Sequence, residues 1–169
     1  YRKNPIYQAP ARPTCETIHA QHAKQYMKST QYSDVSFVRF FSVSFARNLR
    51  RIACDFMAIM HQFTPYLSGA VLDGTAGPES EIDIQLFTDS AKDIEIFLLN
   101  RRIDYRHETP RSERADAVLS LDQEGVTLNL IIYPAHDERV VFRTREGRVR
   151  PRANIDAVRR LLASSGEME

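Results

Sequence analysis

The stretch from Tyr66 to Phe87 constrains this chain more than any other. Residues 66–72 (Tyr-Leu-Ser-Gly-Ala-Val-Leu) read as a strand, and Asp73–Ser80 reads as a loop punctuated by Gly74, Gly77 and Pro78. Residues 81–87 (Glu-Ile-Asp-Ile-Gln-Leu-Phe) alternate polar and apolar, the two-residue period of a half-buried strand. Glu81 and Asp83 therefore share one face of that strand. Two carboxylates side by side suit a hard cation such as Mg²⁺, which takes oxygen ligands and can bridge the oxygens of a triphosphate. A glycine in the preceding turn lets backbone N–H groups approach phosphates with no Cβ in the way.

The flanking sequence says which kind of domain holds this stretch. Phe45, Leu49, Ile52, Phe56, Ile59 or Met60, and Phe63 recur at helical spacing, which predicts a helix over residues 40–63 with one apolar stripe, stopped by Pro65. Arg47, Arg50, Arg51 and Asp55 fall off the stripe and are expected to face water. A short helix capped by Asp89 or Ser90 runs to about Arg101, with Ile94, Phe97 and Leu98 inward. Strands are expected at Ile103–His107, Ala117–Leu121 and Val126–Tyr133, the last two joined by a hairpin turn at Asp122–Gly125. Arg139–Arg145 reads as an edge strand, and a last helix at Ile155–Ala163, capped by Asn154, buries Ile155, Val158 and Leu162. The first thirteen residues carry Pro5, Pro10 and Pro13 and read as an arm, followed by a helix from Thr14 to Lys28. Helices first, then strands with one crossover helix, predict an α+β domain built on a mixed sheet backed by helices, with an N-terminal helical extension. Within a single 169-residue domain, residues 1–38 form the arm and helix, 39–134 the core, and 135–169 a basic strand and C-terminal helix.

In its order of helix, strand ending in glycine, glycine-bearing loop and carboxylate pair, the chain resembles the nucleotidyltransferase superfamily. The resemblance runs over about residues 45–133 and rests on Gly69-Ala70, where the family has Gly-Ser, on Gly74 and Ser80 in the loop, and on Glu81-Ile82-Asp83, where the family has Asp-x-Asp. It implies a metal pair on Glu81 and Asp83, and a nucleotide cradle at Gly69, Ala70, Gly74 and Ser80. It also implies a third acidic position on a later strand, for which Leu128-Asn129-Leu130 is the counterpart. The departures fall on chemistry. Ala70 lacks the hydroxyl that would hold a phosphate, Glu81 is a methylene longer than aspartate, and Asn129 is neutral and cannot serve as a general base.

Those losses favour a degenerate nucleotidyltransferase-like domain that acts as a nucleotide-binding or regulatory module, possessing weak Mg²⁺ affinity or none, and open to a protein partner. The alternative is an active Mg²⁺-dependent transferase that moves a nucleoside monophosphate from an NTP to a hydroxyl, with Glu81, Asp83 and Asn129 as its site. A third reading is an RNA-binding module on the eight arginines between Arg139 and Arg160. A formal net charge of +1 and the scarcity of aromatic residues beside those arginines make nucleic acid the less favoured partner. Plainer readings stand beside these: Glu81 and Asp83 as the solvent face of an edge strand, Asn129 as polar filler on the sheet, the arginines as a solvated edge. Cys15, His19 and His22 share a helical face with no fourth ligand and read as surface residues, and His61 reads as a packed or capping side chain. No apolar run approaches the length of a membrane span, and with only Cys15 and Cys54 the chain is expected in a reducing, cytoplasmic setting.

Overall fold

The computed structural model describes residues 35–144 and 146–164, which belong to one compact unit beginning at Val35. The expected helix from Thr14 to Lys28 and the group Cys15, His19 and His22 lie outside the described residues.

The first helix, α1, spans Val35–Ile59 and is followed by a 3-10 turn at His61–Phe63, so it starts earlier and ends earlier than its stripe suggested. The stripe itself is core: Leu49, Ile52, Phe56 and Met60 are buried, Phe63 nearly so, and Phe45 packs against them. His61 is exposed rather than packed. Arg50 departs from expectation. It does not face water; its Nε donates to Val71 O at 2.9 Å and its Nη2 to Leu72 O at 2.8 Å.

Those carbonyls belong to an element the sequence had hidden. Strand β1 covers only Tyr66–Ser68, and Gly69–Asp73 is a short helix, α2, instead of the second half of a strand. The reason lies at Gly69, whose φ of +73° ends the extended chain in a conformation that favours glycine. The helix closes at Gly74, φ +78°, whose N–H donates to Ala70 O. Arg50 then takes up carbonyls that α2 leaves without intrahelical partners.

Strand β2 follows at Ile82–Thr88 and helix α3 at Ala91–Asn100, with Ile94 and Leu98 buried. Strand β3 is Arg106–Glu108, later than the expected Ile103–His107 because only these residues pair with β4. Strands β4 (Ala117–Gln123) and β5 (Val126–Pro134) form the expected hairpin, with Glu124 and Gly125 both at positive φ, as a two-residue turn with inverted backbone twist requires. Among the described residues of Arg139–Arg145 no strand forms: a 3-10 turn covers Ala135–Arg139, and beyond it an antiparallel bridge joins Arg143 to Val149. Sheet pairing resumes at β6, Arg152–Asn154, which was not foreseen. Helix α4, Ile155–Ser164, starts where expected, with Asn154 Oδ1 accepting the Ala157 N–H at 2.9 Å.

The six strands form one mixed sheet in the order β3-β4-β5-β2-β1-β6, parallel only between β2 and β5. This is the expected α+β class. One face carries Ile82, Ile84 and Leu86 beside Leu128, Leu130 and Ile132, and it is buried with α1, α3 and α4 in a single core. The opposite face carries the polar side chains of β2 and β5. Among the described residues no helix is long and apolar enough to cross a membrane.

Candidate functional site

The polar face forms the floor of a cleft of about 1050 Å³. Strand β2 lies at the centre of the sheet, hydrogen-bonded to β1 on one side and to β5 on the other. Alternation along it turns Asp83 and Gln85 to the cleft, with Glu81 immediately before the strand on the same side. The edge-strand reading of this pair is therefore set aside. On β5, Asn129 stands in register with Asp83 across the parallel ladder.

These three side chains meet. Asn129 Nδ2 donates to Glu81 Oε2 at 2.7 Å and to Asp83 Oδ1 at 3.1 Å. Asn129 is thus not filler: its amide spends its donors on the two carboxylates. Glu81 is half exposed and has Arg111 at 4.0 Å, a solvent-screened pair that contributes little by itself. Asp83 is more enclosed, and burial pushes its carboxyl above the usual carboxylate range; the Asn129 hydrogen bond and the Arg111 charge pull it back, while Glu81 adds to the rise.

Gly69 abuts the same carboxylate. A Cβ there would stand 3.0 Å from Asp83 Oδ2, so a side chain at this position would crowd the carboxylate. The preceding Ser68 Oγ donates to Asp83 O at 3.4 Å. All four loop residues predicted from the sequence, Gly69, Ala70, Gly74 and Ser80, lie outside the cleft lining. Ala70 packs against the core, and Gly74 ends α2 with its Cα close beneath Arg50. Ser80 Oγ accepts the Gly77 N–H at 2.8 Å and closes the loop on itself.

Several cleft residues were not tied to the carboxylates by the sequence. Gln85 was readable in principle, being the next step of the same alternation after Asp83. Arg106, Arg111 and Arg114 come from β3 and the loop behind it, and Arg143 and Arg150 from the basic segment, which no local pattern ties to the carboxylates. That segment is held down by rings. Tyr133 stacks between Phe87 at 5.6 Å and Phe142 at 4.8 Å, and the Arg152 guanidinium lies over Tyr66, Phe87 and Phe142 at 4.7, 5.3 and 5.7 Å. Arg152 also donates to Glu138 O, and Tyr66 donates its hydroxyl to Glu138 Oε1 at 3.1 Å.

As metal ligands, Glu81 and Asp83 supply two carboxylates, and no group of three or more His, Cys, Asp or Glu side chains that could hold an ion occurs among the described residues. Mg²⁺ prefers near-octahedral oxygen ligands. Asn129 would join such a set only by turning its oxygen inward and giving up both hydrogen bonds.

No protein-family model matches this sequence, and no curated protein matches it. Among solved structures the chain is similar to Cid1 in complex with the UTP analogue UMPNPP, at a TM-score of 0.40 and 12% identity, over 92% of this chain and 43% of that one. The chain thus spans less than half the length of that relative, and a likeness of this size carries no weight on site or activity.

Proposed function

We propose that this chain is a degenerate nucleotidyltransferase-like domain that binds a nucleotide, or regulates a partner through that site, without turning the nucleotide over. The observation that supports this most is the Asn129 carboxamide, hydrogen-bonded to both Glu81 and Asp83 where the resemblance calls for a third carboxylate. A neutral donor at that position has two consequences. It offers no charge to a cation and no base to an incoming hydroxyl. It also occupies a lone pair on each carboxylate that a metal would otherwise use. Cation affinity follows the number of charged ligands, and two carboxylates imply weak Mg²⁺ binding through Glu81 and Asp83.

The active-transferase reading retains one favourable feature, the convergence of Glu81 and Asp83 at the floor of an open cleft. Titrating an NTP with and without Mg²⁺ decides between the two. The parent is expected to bind it weakly and to give no transfer product. The variant combining Ala70→Ser, Glu81→Asp and Asn129→Asp is expected to gain Mg²⁺-dependent affinity. Tight Mg²⁺-dependent binding or turnover by the parent would establish an intact enzyme. A folded triple variant without any gain would remove the nucleotidyltransferase reading of these residues.

A further inference from the structure

One side chain in the cleft keeps a buried polar atom without a partner. Gln85 is only 5% exposed, and its Oε1 has no hydrogen-bond partner. Its neighbours across the ladders are Tyr66 on β1 and Ile131 on β5. Ile131 has no donor to give, the Tyr66 hydroxyl is already committed to Glu138, and Arg152 Nη1, over the Tyr66 ring, is itself buried without a partner and makes no hydrogen bond to Oε1. A methionine or leucine would fill this space without an unpaired carbonyl, which is costly to bury. Gln85 nonetheless lines the same cleft as the carboxylate pair. It follows Asp83 on the same face at a distance of about 7 Å along the strand.

We propose that Gln85 is a specificity-determining residue of the nucleotide cleft, and that its side-chain oxygen accepts a hydrogen bond from an N–H or O–H donor on the nucleoside part of the ligand. This rests on the nucleotide reading above and assigns the part of the ligand that Gln85 meets. An acceptor oxygen repels phosphate oxygens, so Oε1 is complementary to the part of a nucleotide that carries donors, a sugar hydroxyl or a base amino or imino group. The terminal torsion of glutamine is broad and two-fold, so the carboxamide turns toward the cleft at little cost. The distance along β2 separates the two tasks: phosphate and any cation near Glu81, Asp83 and Gly69, the nucleoside further along at Gln85.

The test compares the full chain with Gln85→Met, a variant of similar length and flexibility that lacks the acceptor. Each is titrated, with Mg²⁺ present, against the four common ribonucleoside triphosphates and against inorganic tripolyphosphate, and each is melted without ligand. Gln85→Met is expected to lose about tenfold in affinity for the preferred nucleoside triphosphate, the worth of one buried hydrogen bond whose partner is removed. Tripolyphosphate affinity is expected to stay the same, and the melting temperature of the free protein to rise. Equal losses for both ligands, full retention of nucleotide affinity, or a lower melting temperature would each overturn the assignment while leaving nucleotide binding standing. Absence of nucleoside triphosphate binding by the parent would overturn the nucleotide reading itself, and this assignment with it.

Discussion

Asn129 faces Asp83 in the parallel β2–β5 ladder, and its amide nitrogen lies 3.1 Å from Asp83 Oδ1 and 2.7 Å from Glu81 Oε2. The amide bridges the two acids. Asn129→Asp removes both donors and adds a third negative charge to the same spot. Leaving charged acceptors unpaired costs about 1–3 kcal/mol or more, so the variant should melt below the parent in the presence of a chelator. Added Mg²⁺ should raise its melting temperature and leave the parent nearly unmoved, because ligand binding to the native state stabilises it by mass action. A variant as stable as the parent under chelation would show that the amide is not what holds the pair together.

Gly69 offers a second, purely steric test. Its φ of +73° lies in the left-handed region, and an added Cβ meets Asp83 Oδ2 at 3.0 Å. Gly69→Ala should cost about 1–2 kcal/mol for the backbone conformation alone, with the displaced carboxylate adding to that. Differential scanning calorimetry on the variant reads the cost, and a melting temperature equal to the parent's would mean that the strand end moves freely away from Asp83.

Much of this arrangement could be read from the chain because local patterns set it. The stripe from Leu49 to Met60 and the alternation through Ile82 and Ile84 each bury one face, and burial fixes both the element type and the register. The pairing of Glu81, Asp83 and Asn129 was foreseeable once a resemblance supplied the partner strand. The hidden parts depend on long-range contacts. Nothing around Gly69 announces that the strand turns into a helix whose carbonyls are taken by an arginine 21 and 22 residues earlier. The segment after Arg139 has the β-branched residues of a strand, yet its backbone pairs with the chain just beyond it, Phe142 O accepting from Arg150 N–H and Thr144 N–H donating to Arg148 O, and not with the main sheet; Phe142 and Arg152 dock on rings from β1, β2 and β5. Side-chain anchoring of that kind leaves no period in the sequence.

Phe56 measures how far the core depends on the stripe. It is 1% exposed and sits among the apolar residues that back the sheet. Phe56→Ala should destabilise the domain by about 3–5 kcal/mol, the lost transfer energy plus the cavity left behind. Urea unfolding with an unchanged slope and a lower midpoint would report that loss, and an unchanged midpoint would show that this face of α1 is not core.

Asp83 links the site to pH. Burial raises its carboxyl pKa in the folded chain above the ordinary 3.8, with Asn129 and Arg111 opposing and Glu81 assisting. Between the ordinary value and the raised one, the native state holds more protons than the unfolded state. Stability therefore falls as pH rises through that window, and the penalty is fully present above it. Asp83→Asn removes the ionisation and keeps an acceptor oxygen for Asn129. The variant should melt above the parent at pH 7, and the gap should narrow as pH is lowered through the window between the raised value and the ordinary 3.8, across which the parent takes up its proton. The two melting curves measured across that range, with a chelator to exclude cations, give the comparison. A variant less stable than the parent at pH 7 would mean that the Asn129 hydrogen bond and the Arg111 charge outweigh burial, and Asp83 would then be a carboxylate the fold holds ionised in the absence of any metal.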